Sequence, residues 1–239
     1  MIHLYKNFIN TQTHSQGRQI HLRFLVVGFL VCGFFAAWPW ADLVASVDQG
    51  VRSMSSRSNA VEAEYQIKAA FVYNFMKFTE WPDEKGAASS DESPMIIGIL
   101  GDNPFGKSFV PIQEKTIREH PIQVVEFPSF LEFRRQYKST NEAANKYSLT
   151  YKNKMHTCHV LFICDSEKSN IAVLLPMLQQ GKVLIVSDIP RFIDNGGIIG
   201  FIKQDNKIRF EINMDESEEQ GLHISSQLLK LAVRVKKDK

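Results

Sequence analysis

The sequence has 239 residues, of which 44% are hydrophobic and 23% are charged, with a formal net charge of +2. This composition is that of a globular protein and excludes an intrinsically disordered chain, and the balanced charge excludes the basic surface that nucleic acids require. The length accommodates one substantial domain and an additional segment.

The first 45 residues have the pattern of an export signal. Arg18, His21 and Arg23 precede an apolar run over residues 24–37, which is followed by Trp38-Pro39-Trp40 and then by small residues. The run is shorter than the about 20 residues that span a membrane. We therefore predict a signal peptide over residues 1–45, with an uncleaved anchor as the alternative. The polar, serine-containing residues 46–60 are predicted to form a linker.

A helix rich in aromatic residues is predicted over residues 60–82, where apolar side chains recur at helical spacing. Two stripes are predicted to face the core, and Pro82 is predicted to end the helix because proline disfavours the α conformation of the residue before it. The first stripe comprises Ile67, Ala70, Phe71, Asn74, Phe75 and Phe78, and the second comprises Tyr65, Val72, Tyr73 and Met76.

Unbroken apolar runs, separated by helical segments, predict buried parallel strands at residues 95–101, 159–164 and 182–188. An alternating strand is predicted at residues 122–127, a short helix at 104–110, and a helix over 167–180 with Ser166 as its N-cap. Residues 128–155 are predicted to contain charged helical turns. Two strands, 198–202 and 208–213, predict an antiparallel hairpin.

Residues 215–235 predict a closing amphipathic helix. The fold class is therefore α/β, a three-layer α/β sandwich with a mostly parallel sheet, a C-terminal antiparallel hairpin and long N- and C-terminal helices. Its outline is flavodoxin-like or receiver-like. We assign residues 61–236 to this domain and 237–239 to a tail.

Residues 101–108, Gly-Asp-Asn-Pro-Phe-Gly-Lys-Ser, match the phosphate-loop pattern and follow a buried strand. In such a site Lys107 would contact the terminal phosphates. Pro111 comes too soon to allow a long helix after the loop, and Pro104 removes a backbone N–H from the phosphate cradle. The pattern therefore predicts nucleotide binding only weakly.

Cys158 and Cys164 are the candidates for a disulfide in the exported part of the chain. If the residues between them form one strand, their Cα atoms lie about 20 Å apart, whereas a disulfide needs less than about 7 Å. On such a strand both cysteines share one face and His159 points to the other, a spacing that does not suit zinc. We predict two buried thiols and no metal site, and leave open a disulfide formed if one end of the strand curls back or if the cysteines pair across a dimer.

Acidic residues follow two predicted strands, Asp165 after one and Asp188 after the next. They either line the crevice at the carboxyl edge of the sheet, where ligands bind in α/β folds, or cap the segments that follow, and capping is the favoured interpretation. No pairing of a nucleophile with a base is present. We predict that the protein is not an enzyme and has no cofactor.

Two stretches together resemble the YfiR/HmsC-like family of exported bacterial regulators. The first is Phe-Val-Tyr-Asn-Phe-Met-Lys-Phe-Thr-Glu-Trp-Pro at residues 71–82, at the end of the predicted aromatic helix. The second is the C-terminal third, with Gly-Lys-Val-Leu-Ile-Val-Ser-Asp at 181–188 and Gly-Leu-His-Ile-Ser-Ser-Gln-Leu-Leu-Lys-Leu-Ala at 221–232. The resemblance spans residues 61–235 and is poor over 128–157.

The resemblance implies a periplasmic protein that binds the periplasmic sensor domain of an inner-membrane diguanylate cyclase and represses it, which lowers cyclic-di-GMP and biofilm formation. It also implies a homodimer and an outer-membrane lipoprotein that sequesters the regulator. The alternatives are a periplasmic small-molecule binding module without a cyclase partner and, less favoured, a nucleotide-binding protein.

The candidate binding residues fall into two groups. Exposed residues beside the aromatic helix are expected to contact a partner, namely Tyr65, Lys68, Tyr73 and Trp81. A crevice is expected to be lined by Ser187, Asp188, Asn213, Ser225, Ser226 and Lys230. For each residue a role in packing or capping is the competing interpretation, because a fold alone does not imply a function.

Overall fold

The computed structural model describes residues 41–82, 93–136, 141–179 and 181–238. Residues 46–239 form one compact unit, and residues 1–45 form another, of which only 41–45 are described. The predicted signal sequence therefore lies almost wholly outside the described residues. Within the described ranges, no helix combines the length and the apolar character needed to cross a membrane.

An eight-stranded sheet forms the centre of the larger unit, in the order β10-β8-β7-β6-β5-β2-β4-β3. The pairs β7–β8 and β3–β4 are antiparallel and the others are parallel. The separate strands β1 and β9 pair with each other. The strands are β1 Thr79–Glu80, β2 Met95–Leu100, β3 Thr116–Ile117, β4 His120–Phe127, β5 Val160–Ile163, β6 Leu184–Ser187, β7 Ile199–Gln204, β8 Lys207–Asn213, β9 His223–Ile224 and β10 Arg234–Lys236.

The five central strands, β4-β2-β5-β6-β7, are all parallel and have the flavodoxin-like strand order. The predicted outline and the mostly parallel sheet are therefore confirmed. The predicted hairpin is also confirmed as β7–β8, whose turn residues Asp205 and Asn206 have φ of 50° and 57°. Two successive positive φ values are those of the tight turns that suit the twist of a hairpin.

Helices cover both faces of the sheet, as predicted. They are α1 Ala41–Lys77, α2 Val110–Gln113, α3 Phe130–Gln136, α4 Asn141–His156, α5 Ile171–Leu178, α6 Met214–Glu219 and α7 Ser226–Leu229. One buried cluster joins α1 to the sheet through side chains such as Phe75 and Phe210, whose ring centroids lie 4.9 Å apart. A second cluster on the other face contains Phe133, Leu174 and Leu178 from α3 and α5. These three layers are those of the predicted sandwich.

Helix α1 differs from the prediction at both ends. Residues 46–60, predicted to be a linker, belong to the helix. The helix ends at Lys77 rather than at Pro82, because Thr79 and Glu80 pair as β1 with Ile224 and His223. The predicted first stripe is also partly wrong: Ile67, Ala70 and Asn74 are exposed. The core face instead contains Lys68, Ala69, Val72, Phe75 and Met76.

The predicted long C-terminal helix is wrong. Residues 215–235 are divided among α6, β9, α7 and β10. Gly221 has a φ of +70°, which glycine adopts without a steric cost, and it ends the first helical segment. The Ser225 hydroxyl accepts a hydrogen bond from the backbone N–H of Gln227 and begins α7. Lys236, placed next to the tail in the prediction, belongs to the edge strand β10.

Two other predicted helices are shifted. The segment predicted at 104–110 is irregular until α2 begins at Val110. The helix predicted over 167–180 begins as a 3₁₀-helix, Asp165–Asn170, and becomes α5 at Ile171. Ser166 is not an N-cap, because its hydroxyl instead accepts a hydrogen bond from the backbone N–H of Asp102 at 2.9 Å.

Cys158 and Cys164 are both buried and form no disulfide with each other. They lie in different core clusters, on opposite faces of the sheet, so the prediction that they share a face is wrong. The reason is that β5 begins only at Val160, and the turn before it breaks the alternation of side chains. Burial raises the pKa of the Cys164 thiol above its ordinary range. This thiol therefore stays protonated and unreactive at neutral pH.

Candidate functional site

A cavity of about 300 Å³ lies where α1 crosses the carboxyl ends of β5 and β6. Helix α1 contributes Tyr65 and Lys68 to it, three residues apart and therefore on one face of the helix. The strand ends contribute Asp165 and Asp188. Apolar walls come from the hairpin residues Phe201, Ile202 and Ile208. The position is the edge of an α/β sheet at which ligands bind.

Three of the predicted site residues meet in this cavity. The Tyr65 hydroxyl donates to Asp188 Oδ2 at 2.8 Å, and Lys68 Nζ donates to the same oxygen at 2.6 Å. The Lys68 ammonium also lies 4.2 Å from the centroid of the Tyr65 ring. Asp188 is separated from these two residues by about 120 positions in the chain, so the contact fixes α1 to the sheet.

The ion pair in this cluster is buried. The side chain of Lys68 is 5% exposed and that of Asp188 is 12% exposed. Burial, followed by the charge of Asp188, raises the pKa of the Tyr65 hydroxyl above its ordinary range. Tyr65 therefore remains a neutral hydrogen-bond donor to the carboxylate. The expectation that Lys68 lies on the surface is wrong, because its ammonium has carboxylate partners inside the protein.

The other oxygen of Asp188, Oδ1, is buried and has no hydrogen-bond partner within the described residues. An unsatisfied buried acceptor costs on the order of 1–3 kcal/mol. Among the described residues, the neighbouring Ser187 caps the following turn, since its hydroxyl accepts from the N–H of Ile189 and donates to the carbonyl of Ile163. Of the two interpretations of the strand-end acids, the structure supports the crevice for Asp188.

Two residues that the sequence analysis missed complete the cluster. Glu64 accepts from Lys68 at 2.7 Å and lies 3.5 Å from the more exposed Lys203 on β7. Burial acts to raise the pKa of Glu64, but the hydrogen bond and charge of Lys68, together with Lys203, hold that pKa below its ordinary value. The spacing of Glu64 and Lys68, four residues apart on a helix, was a signal for this pair.

The two remaining predicted contacts on the aromatic segment lie elsewhere. Trp81 is 6% exposed and its ring packs edge-on against His159, with centroids 5.6 Å apart. The expectation that Trp81 is exposed is therefore wrong, and a Trp81→Ala variant would damage the core rather than test partner binding. Tyr73 is half-buried, with the Lys115 ammonium 5.1 Å from its ring centroid.

The other predicted crevice residues do not join the cavity. Asn213 is buried and caps α6, accepting from the N–H of Glu216 and donating to the carbonyl of Ile193. The N–H of Ser225 donates to the carbonyl of Phe78, beyond the C-terminal end of α1. Tyr65 is 13 residues earlier, about 20 Å along the helix axis. Ser226 and Lys230 follow Ser225 and are exposed.

A second cavity, which we name the hairpin groove, lies on the other side of α1. Its volume is about 550 Å³. It is lined by Ala60, Ala63, Glu64, Ile67 and Phe71 of α1 and by Lys203, Asn206, Lys207 and Ile208 of the β7–β8 hairpin. Glu64, Lys203 and Ile208 line both cavities, so the ion pair between Glu64 and Lys203 stands between them.

The segment that resembles a phosphate loop does not form a phosphate cradle. Phe105 is buried, with its ring centroid 4.7 Å from that of Phe162. The following helix, α2, has four residues and begins only at Val110, so the loop does not lead directly into a helix N-terminus as a phosphate loop does. At Gly101, with a φ of +97°, an added Cβ would lie 2.5 Å from Ser166 Oγ. The loop is packed into the domain.

The ammonium of Lys68 and the hydroxyl of Tyr65 both contact the carboxylate of Asp188 in the first cavity. Within the described ranges, no three His, Cys, Asp or Glu residues are placed to hold a metal ion. The buried cation and anion hold α1 and the sheet in a fixed arrangement. A change in that arrangement would alter the walls of both cavities.

Comparison with known proteins gives one extensive match. The model of the YfiR/HmsC-like family matches residues 65–233. A comparison with curated proteins found no match.

Two solved structures are similar to parts of the chain. A conserved domain protein from Vibrio cholerae O1 biovar El Tor str. N16961 has a TM-score of 0.41 and 13% identity. The ABC domain in complex with L-Trp from Streptococcus pneumonia has a TM-score of 0.40 and 14% identity. Each similarity covers 59% of this chain and 55% of the other. The chain thus spans about half the length of these proteins, and at these TM-scores neither informs its fold or function.

Proposed function

The chain belongs to the YfiR/HmsC-like family, and on that basis we propose that it is a non-catalytic periplasmic regulator of diguanylate cyclase signalling. In this proposal it binds the periplasmic sensor domain of an inner-membrane diguanylate cyclase and represses the enzyme. The observation that carries the proposal is the family match, which extends over residues 65–233 and so includes most of the α/β domain.

Repression of this kind needs binding and no catalysis. A regulator that binds the inactive state of the cyclase more tightly than the active state shifts the equilibrium towards the inactive state. The shift is limited by the difference between the two affinities, and a hundredfold shift requires about 2.7 kcal/mol. The proposal is supported by the Tyr65–Lys68–Asp188 cluster, in which the hydroxyl and the ammonium both donate to one carboxylate oxygen and so hold α1 against the sheet.

The test is the cellular cyclic-di-GMP concentration with and without the gene. We expect the concentration to rise on deletion and to return when the intact gene is restored. A gene whose product lacks residues 1–45 should fail to restore it, because the regulator would not reach the periplasm. An unchanged concentration on deletion, with the protein detected in the periplasm of the parent strain, would contradict the proposal.

A second candidate function is a periplasmic small-molecule binding module without a cyclase partner. The observation that favours it is the cavity of about 300 Å³ at the carboxyl edge of the sheet. Native mass spectrometry of the purified protein tests it, because a tightly bound ligand adds a discrete mass. A homodimer and a sequestering outer-membrane lipoprotein are further predictions from the family, and the same measurement reports the oligomeric state.

A further inference from the structure

We propose that the hairpin groove binds an amphipathic helix with an apolar face and acidic residues along one flank. This inference rests on the proposed function, since the helix would belong to the periplasmic domain that the protein regulates. It goes further by assigning the binding surface and the chemistry of the segment that occupies it.

The groove has an apolar wall that remains exposed. Ile67 on α1 is 49% exposed, although it lies beside a cavity of about 550 Å³. The neighbouring Phe71 is half-buried, with its ring centroid 5.6 Å from that of Phe210. A single exposed apolar side chain on a convex surface is common and indicates nothing. An exposed isoleucine beside a concave apolar surface is different, because the two together form an apolar patch that a partner can fill.

A further exposed apolar residue lies on the same face of the sheet, farther along β8 from the groove. Val235 on β10 is the register partner of Ile212 on β8, and Ile212 is buried on the face covered by α1. Paired residues of neighbouring strands point to the same face, so Val235 lies on the α1 face. Val235 is exposed. The sheet therefore presents an apolar side chain beyond the area that α1 covers.

The dimensions of the groove fit a short helix. The α1 residues that line it run from Ala60 to Phe71, which is about 16 Å of helix, or three turns. The small side chains of Ala60 and Ala63 let a second helix approach α1 closely, within the 8–10 Å typical of packed helices. A segment of about three turns with apolar residues at positions three and four apart would place one stripe against Ile67 and the sheet.

The lysines at the edge of the groove favour a helix that has acidic residues along the flank facing them. Lys207 is exposed and makes no ion pair among the residues the structure describes, and Lys203 is 58% exposed at 3.5 Å from Glu64. Glu64 is held more closely by Lys68, at 2.7 Å. In the hairpin tip, residues 203–207, two lysines stand against the single acid Asp205, so the tip itself carries a net charge of +1. Acidic side chains on the incoming helix would complement it.

The same charge argues against a second copy of this chain in the groove. In an interface with twofold symmetry the same patch occurs on both subunits, so a second copy would bring a hairpin tip of the same net positive charge to the groove. Like charges placed together cost several kcal/mol in an interface. A different partner, with carboxylates where this chain has ammonium groups, avoids that repulsion.

The experiment is photo-crosslinking in living cells, with a photoreactive phenylalanine derivative placed at position 67 of the full chain. The matched control carries it at position 173, because Val173 is 51% exposed on α5, whose buried residues belong to the core cluster on the opposite face of the sheet. The adducts are digested and sequenced by mass spectrometry. We expect position 67 to react with acidic, helically periodic residues of a diguanylate cyclase periplasmic domain, and position 173 not to do so.

Point variants give a quantitative second measurement with the cyclase domain so identified. We expect Ile67→Asp to weaken binding about tenfold or more, since a charge would replace an apolar contact, and Val173→Asp to change it less than about twofold. Lys207→Glu should weaken binding by about threefold to tenfold and should be compensated by an acid-to-lysine change in the partner helix. Circular dichroism establishes that each variant is folded.

The outcomes separate this inference from the proposed function. An adduct at position 67 with a second copy of the chain, with its own residues 1–40, or with nothing beyond the position 173 control would overturn the groove assignment. Full repression of cyclic-di-GMP by the folded Ile67→Asp variant would also overturn it and would leave the proposed function intact. A third outcome is an adduct with an acidic helix of another protein, in cells whose cyclic-di-GMP concentration does not change when the gene is deleted. That outcome would overturn the proposed function and support the assignment of an acidic amphipathic helix to the groove.

Discussion

Lys68 carries its charge in the interior of the protein, where Asp188, Glu64 and the ring of Tyr65 surround its ammonium group. Taking a lysine out of water is costly, and mutual attraction offsets that cost only while the carboxylate partners stay in place. The stability of the domain therefore depends on the pairing rather than on either charge alone.

We expect Asp188→Ala to lower the free energy of unfolding by about 3 kcal/mol, because it leaves a buried ammonium group with one partner fewer. Urea unfolding measures the change. The double variant Lys68→Met/Asp188→Ala should regain part of the loss, since it contains no unpaired buried charge at this position. Glu218→Ala, which breaks the exposed pair with Lys237, is the matched control and should cost much less than Asp188→Ala. A double variant no more stable than Asp188→Ala would contradict this account.

Glu64 gives the domain a stability that depends on pH. Its pKa is lower in the folded protein than the reference value of 4.5, because Lys68 and Lys203 outweigh the effect of burial. The stabilisation is therefore complete above the unfolded pKa and is lost as the pH falls through the folded pKa.

We expect the difference in unfolding free energy between the protein and its Glu64→Gln variant to be constant from about pH 6 upwards and to shrink as the pH falls below about 4.5. Its size should be less than about 1 kcal/mol, because the carboxylate is partly exposed to solvent. Urea unfolding at a series of pH values measures it, with Glu62→Gln on the exposed face of α1 as the control. A difference that grows on acidification would contradict the prediction.

At the scale of the element, the segment after β8 is held together by caps and turns. Asn213 serves two elements at once, because its side chain accepts from the first turn of α6 and donates to the carbonyl of Ile193. Ser225 caps α7 from a more exposed position. These two residues were predicted to line a ligand crevice, and capping is the role that their hydrogen bonds show.

We expect Asn213→Ala to destabilise the protein by about 2 kcal/mol, since it removes a helix cap and leaves a buried carbonyl without its donor. Asn213→Asp should cost at least as much as Asn213→Ala, because it keeps the cap acceptor but turns a carboxylate oxygen towards the Ile193 carbonyl in a buried site. Ser225→Ala should cost about 0.5–1 kcal/mol, as a more exposed single cap does. Thermal unfolding of the three variants gives the order, and equal losses for Asn213→Ala and Ser225→Ala would refute the double role.

The elements differ in how much of them the sequence predicts. The apolar runs at β2, β5 and β6 predict buried strands because a strand covered on both faces has no polar side. The closing segment does not follow its helical periodicity, since Gly221 and the pairing of β9 with β1 impose a different path. Local periodicity cannot predict that β1 and β9, about 145 positions apart, will pair.

At the scale of the whole molecule, the sequence predicts the layers and the flavodoxin-like outline. It does not predict that the Lys68 ammonium meets the carboxylate of Asp188, because helical periodicity places a lysine on the solvent side by default. The meeting follows from the position of α1 over the ends of β5 and β6, a tertiary contact between distant segments. Tyr65, Lys68 and Asp188 were named separately, but their common location is a property of the folded chain.

The ion pair of Glu64 and Lys203 forms part of the walls of both cavities. Because of thermodynamic linkage, a ligand that moves this shared wall from one cavity also changes binding in the other. A molecule in the first cavity that attracts Lys203, or displaces Glu64 towards Lys68, changes the charge that a helix in the hairpin groove would meet. The coupling free energy is the same in both directions, so an occupant of the groove must change the affinity of the first cavity by the same factor. A ligand in the first cavity and a helix in the hairpin groove would therefore be thermodynamically coupled through this shared ion pair.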